Sequence, residues 1–111
     1  MQILQRKRSA HALRHYAMQQ NERNTALYEA ILRLNTLDEC IRFFDDLCAV
    51  TELRTMEQRY AVAGCLLQGK VYSEILERTG ASSATISRVA RSLTDSDGGY
   101  ERIFARMKGE K

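Results

Sequence analysis

Gly80 divides the stretch from Lys70 to Leu93, KVYSEILERTGASSATISRVARSL, into two runs that each have helical spacing. A glycine at that junction supplies the positive φ with which many helices end, a conformation that strains most other residues. The first run is predicted to be a helix from Ser73 to Thr79, with the Ser73 oxygen placed to cap free N–H groups and Ile75 and Leu76 as its apolar contacts. Ser82 or Ser83 can cap a second helix running to about Leu93. In that helix Ile86, Val89, Ala90 and Leu93 recur at i, i+3, i+4 and i+7 and therefore share one buried stripe.

The opposite side of the second helix carries Ala84, Ser87, Arg88 and Arg91, with Thr85 and Ser92 at its edges and no acid. Such a helix suits a DNA major groove. Hydroxyls and guanidinium forks reach base edges or phosphates, and small side chains allow close approach. By spacing alone the pattern also fits any αα-hairpin with a glycine turn, whose second helix is basic only because it faces water.

The rest of the chain is consistent with an all-α fold. Its 111 residues contain no Pro and no Trp and are enough for one domain with a modest core. Thr36-Leu37-Asp38-Glu39 has the form of a capping box, after a broadly apolar segment from Glu22 to Leu34. The helix it opens carries Leu37, Cys40, Ile41, Phe44, Leu47 and Cys48 on one stripe, widened by Phe43. That is more apolar surface than a monomer of this size readily covers, which points to a dimer. Thr51 is expected to cap the next helix, in which Leu53, Met56, Tyr60, Ala63 and Leu67 form a packing seam up to Gly69. Thr94 to Gly99 is a turn-rich break. Tyr100, Ile103, Phe104 and Met107 then share a face of a final helix, where the first three are expected to pack on a partner chain.

The net charge is +3, and the first 20 residues contribute +4 through Arg6, Lys7, Arg8 and Arg14 without a single acid. Residues 1–20 are thus expected to be a flexible basic extension able to lie along phosphates, and 21–111 a single helical domain. His11 and His15 have i, i+4 spacing, but no third metal ligand accompanies them, so no metal is expected. Cys40, Cys48 and Cys65 form no CxxC pair and read as small buried hydrophobes in a reducing cytoplasm. No membrane span or signal-peptide core is evident.

The run GASSATISRV, Gly80 to Val89, closely resembles the second-helix motif of the tryptophan repressor family, and more specifically the YerC/YecD branch of tryptophan-repressor-like proteins. The likeness includes Leu47-Cys48, Glu52-Leu53, Gln58-Arg59, Leu67-Gln68-Gly69-Lys70 and Gly99-Tyr100, and covers most of Leu27 to Phe104. It implies a homodimer with interlocked N-terminal helices, in which each chain presents a helix-turn-helix, here at 70–93, to double-stranded DNA. It also implies that Ser83, Ala84 and Ser87 approach base pairs and that Ser73 and Glu74 lie near further DNA contacts. Glu74 departs from that pattern, because a carboxylate repels phosphate and can only accept from a group such as the cytosine amino group. The candidate DNA-binding set is Ser73, Ser82, Ser83, Ala84, Thr85, Ser87, Arg88 and Arg91.

The tryptophan repressor holds its corepressor between two arginines, and by resemblance Arg59 and Arg88 match them. The family, however, has a glycine after the second arginine, where this chain has Val89, and the first helix of the motif is one residue shorter here between Gly69 and Gly80. A vestigial pocket at Arg59, Arg88 and Val89 is therefore expected not to take tryptophan, and no cofactor is expected.

The leading expectation is a cytoplasmic, sequence-specific DNA-binding transcriptional regulator, a repressor, that reads the major groove with helix 82–93. The alternative is a non-catalytic helical protein-interaction module, which should show exposed apolar anchors on the second helix. An enzyme is not expected, since the chain lacks a glycine-rich phosphate loop, a nucleophile motif and a metal set.

Overall fold

The computed structural model describes residues 23–95 and 97–109. The basic extension 1–20, with His11 and His15, lies outside the described residues. Among those described every regular element is an α-helix, as the sequence predicts, and there is no strand. The helices are α1 Ala26–Ile31, α2 Leu37–Leu47, α3 Val50–Leu67, α4 Tyr72–Thr79, α5 Ser83–Asp95 and α6 Gly99–Gly109. The chain divides into two compact units, Met1–Phe44 and Asp45–Lys111, so the boundary falls inside α2.

In the first unit α1 is shorter than its apolar pattern suggests. Arg33 and Leu34 donate to the carbonyls of Ala30 and Ile31, three residues back, and this tighter winding closes the helix before Asn35. The predicted cap at Thr36 is present: its Oγ1 accepts from Glu39 N–H at 3.0 Å. The Glu39 carboxylate returns not to Thr36 but one residue earlier, accepting from Asn35 N–H at 2.8 Å. Phe43 and Phe44 meet edge to face at 5.5 Å. No residue of α1 or α2 is buried, and Leu37 on the strongly apolar α2 is 76% exposed.

The second unit is built on α3. Thr51 does not cap it. Ala49 does, in extended conformation, and Glu52 Oε1 accepts from Ala49 N–H at 2.6 Å. The Glu52 carboxylate satisfies the N–H of the N-cap itself, the half of a capping box that needs no polar side chain at the cap. At the other end Gly69 adopts φ 79°, Lys70 N–H donates to Cys65 C=O and Gly69 N–H to Leu66 C=O. These crossed bonds satisfy two carbonyls the helix would otherwise leave free.

Helices α4, α5 and α6 all pack on α3. The core joins Val62, Ala63 and Cys65 of α3 to Ile75 of α4, Ala81 of the turn, and Ile86 and Val89 of α5. Leu66, Leu93, Tyr100 and Phe104 pack around it. Tyr100 and Phe104 thus find partners within their own chain, whereas Ile103 stays exposed. The Phe104 ring stacks on Tyr60 at 4.5 Å. It comes so near Gly64 that a Cβ there would sit 3.1 Å from its edge, so the small residue in mid-helix lets α6 approach α3. Of the cysteines only Cys65 is buried, while Cys40 and Cys48 are half-buried, and all three are free.

Ile75 is the largest of the fully buried side chains, 1% exposed. Ile75→Ala should lower stability by about 2–4 kcal/mol, as expected for truncating a buried isoleucine. Urea unfolding at fixed protein concentration would measure this as a lower midpoint with an unchanged slope.

Candidate nucleic-acid interface

The α4–turn–α5 segment is the site the sequence singles out, and its geometry follows from local chemistry. The first helix starts one residue earlier than predicted. Val71, extended at φ −84° and ψ 162°, is the N-cap and has no side-chain cap, so Ser73 is an exposed residue inside α4 rather than its cap. Glu74 and Ile75 N–H groups both donate to Val71 C=O. The apolar Val71 can take this place because backbone carbonyl bonding, rather than its side chain, begins the helix.

Three residues make the turn. Thr79 Oγ1 donates to Ile75 C=O at 2.8 Å and accepts from Ala81 N–H at 3.1 Å, so one hydroxyl closes α4 and holds the chain leaving it. Gly80 is left-handed, at φ 70° and ψ 9°, and donates to Leu76 C=O. Gln58 Nε2 reaches across from α3 to donate to Thr79 C=O at 3.1 Å. Ala81 is fully buried. The turn is thereby pinned to α3 by a hydrogen bond on one side of Gly80 and a buried methyl on the other.

Ser82 is the residue that caps α5. Its Oγ accepts from Thr85 N–H at 3.1 Å and donates to Thr85 Oγ1 at 3.2 Å. The Ser82 and Thr85 hydroxyls therefore engage each other, and Thr85 is half-buried. The helix continues past Leu93 to Asp95. Ile86 and Val89 point into the core, Ala90 and Leu93 flank it, and Ser83, Ala84, Ser87, Arg88 and Arg91 are exposed. No large apolar side chain of α5 is exposed.

Of the vestigial-pocket residues, Val89 is 1% exposed and part of the core. Arg88 is exposed and Arg59 half-buried. Arg59 lines a surface pocket of about 380 Å³ with Cys48, Thr51, Glu52, Thr55 and Met56, and neither Arg88 nor Val89 belongs to that lining.

Of two further features of the site, one leaves no trace in sequence spacing and the other does. One is the Gln58 bridge, for which spacing carries no signal because its partner is 21 residues away. The other is a chain of ion pairs: Glu74 Oε2 lies 3.3 Å from Arg78 Nε and 3.6 Å from Lys70 Nζ. Its i, i+4 spacing was readable. Glu74 thus has two basic neighbours in the structure. Among the described residues no group of three or more His, Cys, Asp and Glu could hold a metal, and no helix is long and apolar enough to cross a membrane.

Fold and site together define a small all-α helix-turn-helix protein. The family profile described as Trp repressor protein matches residues 22–108, and the chain belongs to that family. It falls in its YerC-like branch: it is 48% identical over 82 residues to the uncharacterized YerC protein of Bacillus subtilis strain 168, covering 74% of this chain and 79% of the relative. A Staphylococcus aureus crystal structure provisionally assigned as a Trp repressor superposes with a TM-score of 0.75 at 46% identity, covering 78% of this chain and 89% of that one. The crystal structure of a TrpR-like protein from Eubacterium eligens ATCC 27750 gives 0.72 at 44%, covering 84% and 90%.

Proposed function

We propose that this protein is a non-catalytic, cytoplasmic transcriptional regulator, a repressor, that binds double-stranded DNA as a homodimer and reads the major groove with α5. The observation that carries this reading is the division of α5 into two sides. Ile86 and Val89 fix it to the core, and the side away from the core offers Ala84, Ser87, Arg88 and Arg91 with no acid before Asp95. A protein-docking helix would expose apolar anchors there, and α5 has none. Membership of the Trp repressor family supports the same reading. In this proposal Ser83, Ala84 and Ser87 face base edges, Arg88 and Arg91 meet phosphates or guanine, and Ser73 flanks the contact. Ser82 and Thr85 act by holding the start of α5 in place. Residues 21–111 are the binding domain, and the basic residues 1–20 serve as an arm along the backbone.

Specific binding is expected at a two-fold symmetric operator with half-site centres about 34 Å apart, the spacing of dimeric helix-turn-helix proteins. Ser87→Ala should relax sequence preference more than it weakens general affinity. Arg91→Ala should lower affinity on all sequences and reduce the salt slope by ~0.9 for each phosphate it no longer neutralises. Fluorescence anisotropy across a salt series checks both, and DNA binding that neither variant alters would refute the assignment of this face.

The dimer is supported by the apolar side chains that one chain leaves uncovered on α2, among them Leu37, Ile41 and Leu47. Sedimentation equilibrium at micromolar concentration should give twice the 12.7 kDa chain mass, and a purely monomeric result would rule the dimer out.

Tryptophan is not the effector in this proposal. Val89 stands where the family has a glycine, and its side chain is buried. Admitting an indole would require expelling valine or shifting α5, overpacking that costs ~1–3 kcal/mol and weakens binding roughly ten-fold to over a hundred-fold. DNA affinity should be equal with and without the amino acid. Titration calorimetry showing micromolar binding of one tryptophan per chain would refute it.

A further inference from the structure

Lys70, just before the N-cap of α4, and Glu74 and Arg78 within it follow at steps of four residues, and a single carboxylate oxygen, Glu74 Oε2, faces both cations. The effect on stability is small. The side chains are 26%, 39% and 56% exposed, and ion pairs this open to water contribute little. The effect on charge is larger. Without the acid, Lys70 and Arg78 would offer two free cations from the first helix of the motif and the residues leading into it. With it, the three groups sum to one positive charge, and both cations are drawn toward the helix surface.

The first helix of a helix-turn-helix crosses the DNA backbone while the second enters the groove, so cations on it meet phosphates and not base edges. A free cation gains affinity there by releasing counterions, on any sequence. A cation already paired must first leave its carboxylate, and leaves that carboxylate beside a phosphate. We infer that Glu74 is a specificity-determining residue that withholds Lys70 and Arg78 from the phosphates of non-cognate DNA. It suppresses sequence-independent affinity without touching a base, so α5 decides which duplex is held. This inference rests on the DNA-binding reading above.

The same helix provides the control. Glu77 is exposed and, among the described residues, takes part in no ion pair. Glu74→Gln and Glu77→Gln therefore add the same charge to α4, but only the first frees the two cations. Anisotropy of full-length protein on a random-sequence duplex, across a salt series, should show Glu74→Gln binding about ten-fold more tightly at low salt. Its log K against log salt should steepen by ~0.9 to ~1.8, for one or two further phosphates neutralised. Glu77→Gln should change the slope far less. Adding Lys70→Gln and Arg78→Gln to Glu74→Gln should cancel its gain, since no cation is then left to release. Arg78→Gln alone tests the inference if Glu74→Gln fails to fold: it should lower the salt slope far less than Arg91→Gln, which removes the same charge from an arginine in no ion pair among the described residues, and an equal fall would mean Arg78 was never withheld.

Equal effects of the two glutamate variants would show general electrostatics and overturn the inference. A changed base preference at one operator position, with an unchanged slope, would show Glu74 reading a base and overturn it too. Specific wild-type binding with an inert Glu74→Gln sinks the inference alone, whereas a wild-type protein that binds no duplex sinks the DNA-binding reading with it.

Discussion

The docking of the α4–turn–α5 segment on Val62, Ala63 and Cys65 of α3 is the contact on which the rest of this structure depends. Each element of the motif contributes a buried apolar side chain: Ile75 before the turn, Ala81 within it, Ile86 and Val89 after it. Neither helix is long enough to be stable alone in water, since helices under about 12–15 residues are marginal without tertiary packing. α4, of 8 residues, is helical because Ile75 is buried on α3. Small, fully buried residues at 63 and 81 lie in this contact, and the Gln58 bridge to Thr79 C=O satisfies a carbonyl that the left-handed Gly80 would otherwise leave free at the helix end. The direction of α5 is thus fixed from three sides before any partner arrives.

How far this was legible in the sequence differs by element, for identifiable reasons. The buried stripe of α5 and the left-handed Gly80 were readable because each depends on local periodicity or on one residue's φ. Helix starts were less so. Thr51 and Ser73 look like caps, yet Ala49 and Val71 hold those positions. At Ala49, N–H satisfaction comes from Glu52 three residues on, and at Val71 its carbonyl starts the helix. Capping depends on where φ and ψ change, and side-chain chemistry biases that place without setting it. Tyr100 and Phe104 show a different difficulty. An apolar stripe announces burial but not its partner, and here the partner is α3 of the same chain, made reachable by Gly64. Spacing puts Ala84, Ser87, Arg88 and Arg91 on the side of α5 away from its apolar stripe, and all four are exposed, whereas Thr85, at the edge, is half-buried. The pairing of Ser82 with Thr85 depends on hydroxyl rotors, which no periodicity encodes.

This anatomy separates a packed side of α5 from an exposed one. Ile86 and Val89 make the contacts that hold α5, while Ser87, Arg88 and Arg91 lie outside the core. Substitutions on the exposed side are therefore expected to leave the fold nearly unaffected. Val89 is the exception, because it stands next to Arg88 and yet belongs to the core. Its branched side chain, 1% exposed, packs the motif onto α3.

The two helices of the motif also treat their charges in opposite ways. In α5 neither Arg88 nor Arg91 is in an ion pair among the described residues, the one acid of the helix being Asp95 at its end, whereas in α4 and its lead-in Lys70 and Arg78 share Glu74. A helix that enters a groove gains from charge that is free to pair with what it finds there. A helix that crosses the backbone meets the same phosphates on every sequence, and free charge on it raises affinity everywhere alike. Specificity is a difference between affinities, so reducing attraction at the sequence-blind contacts increases discrimination as surely as improving the contacts that read bases. The chain carries both arrangements on consecutive helices, with Gly80 between them.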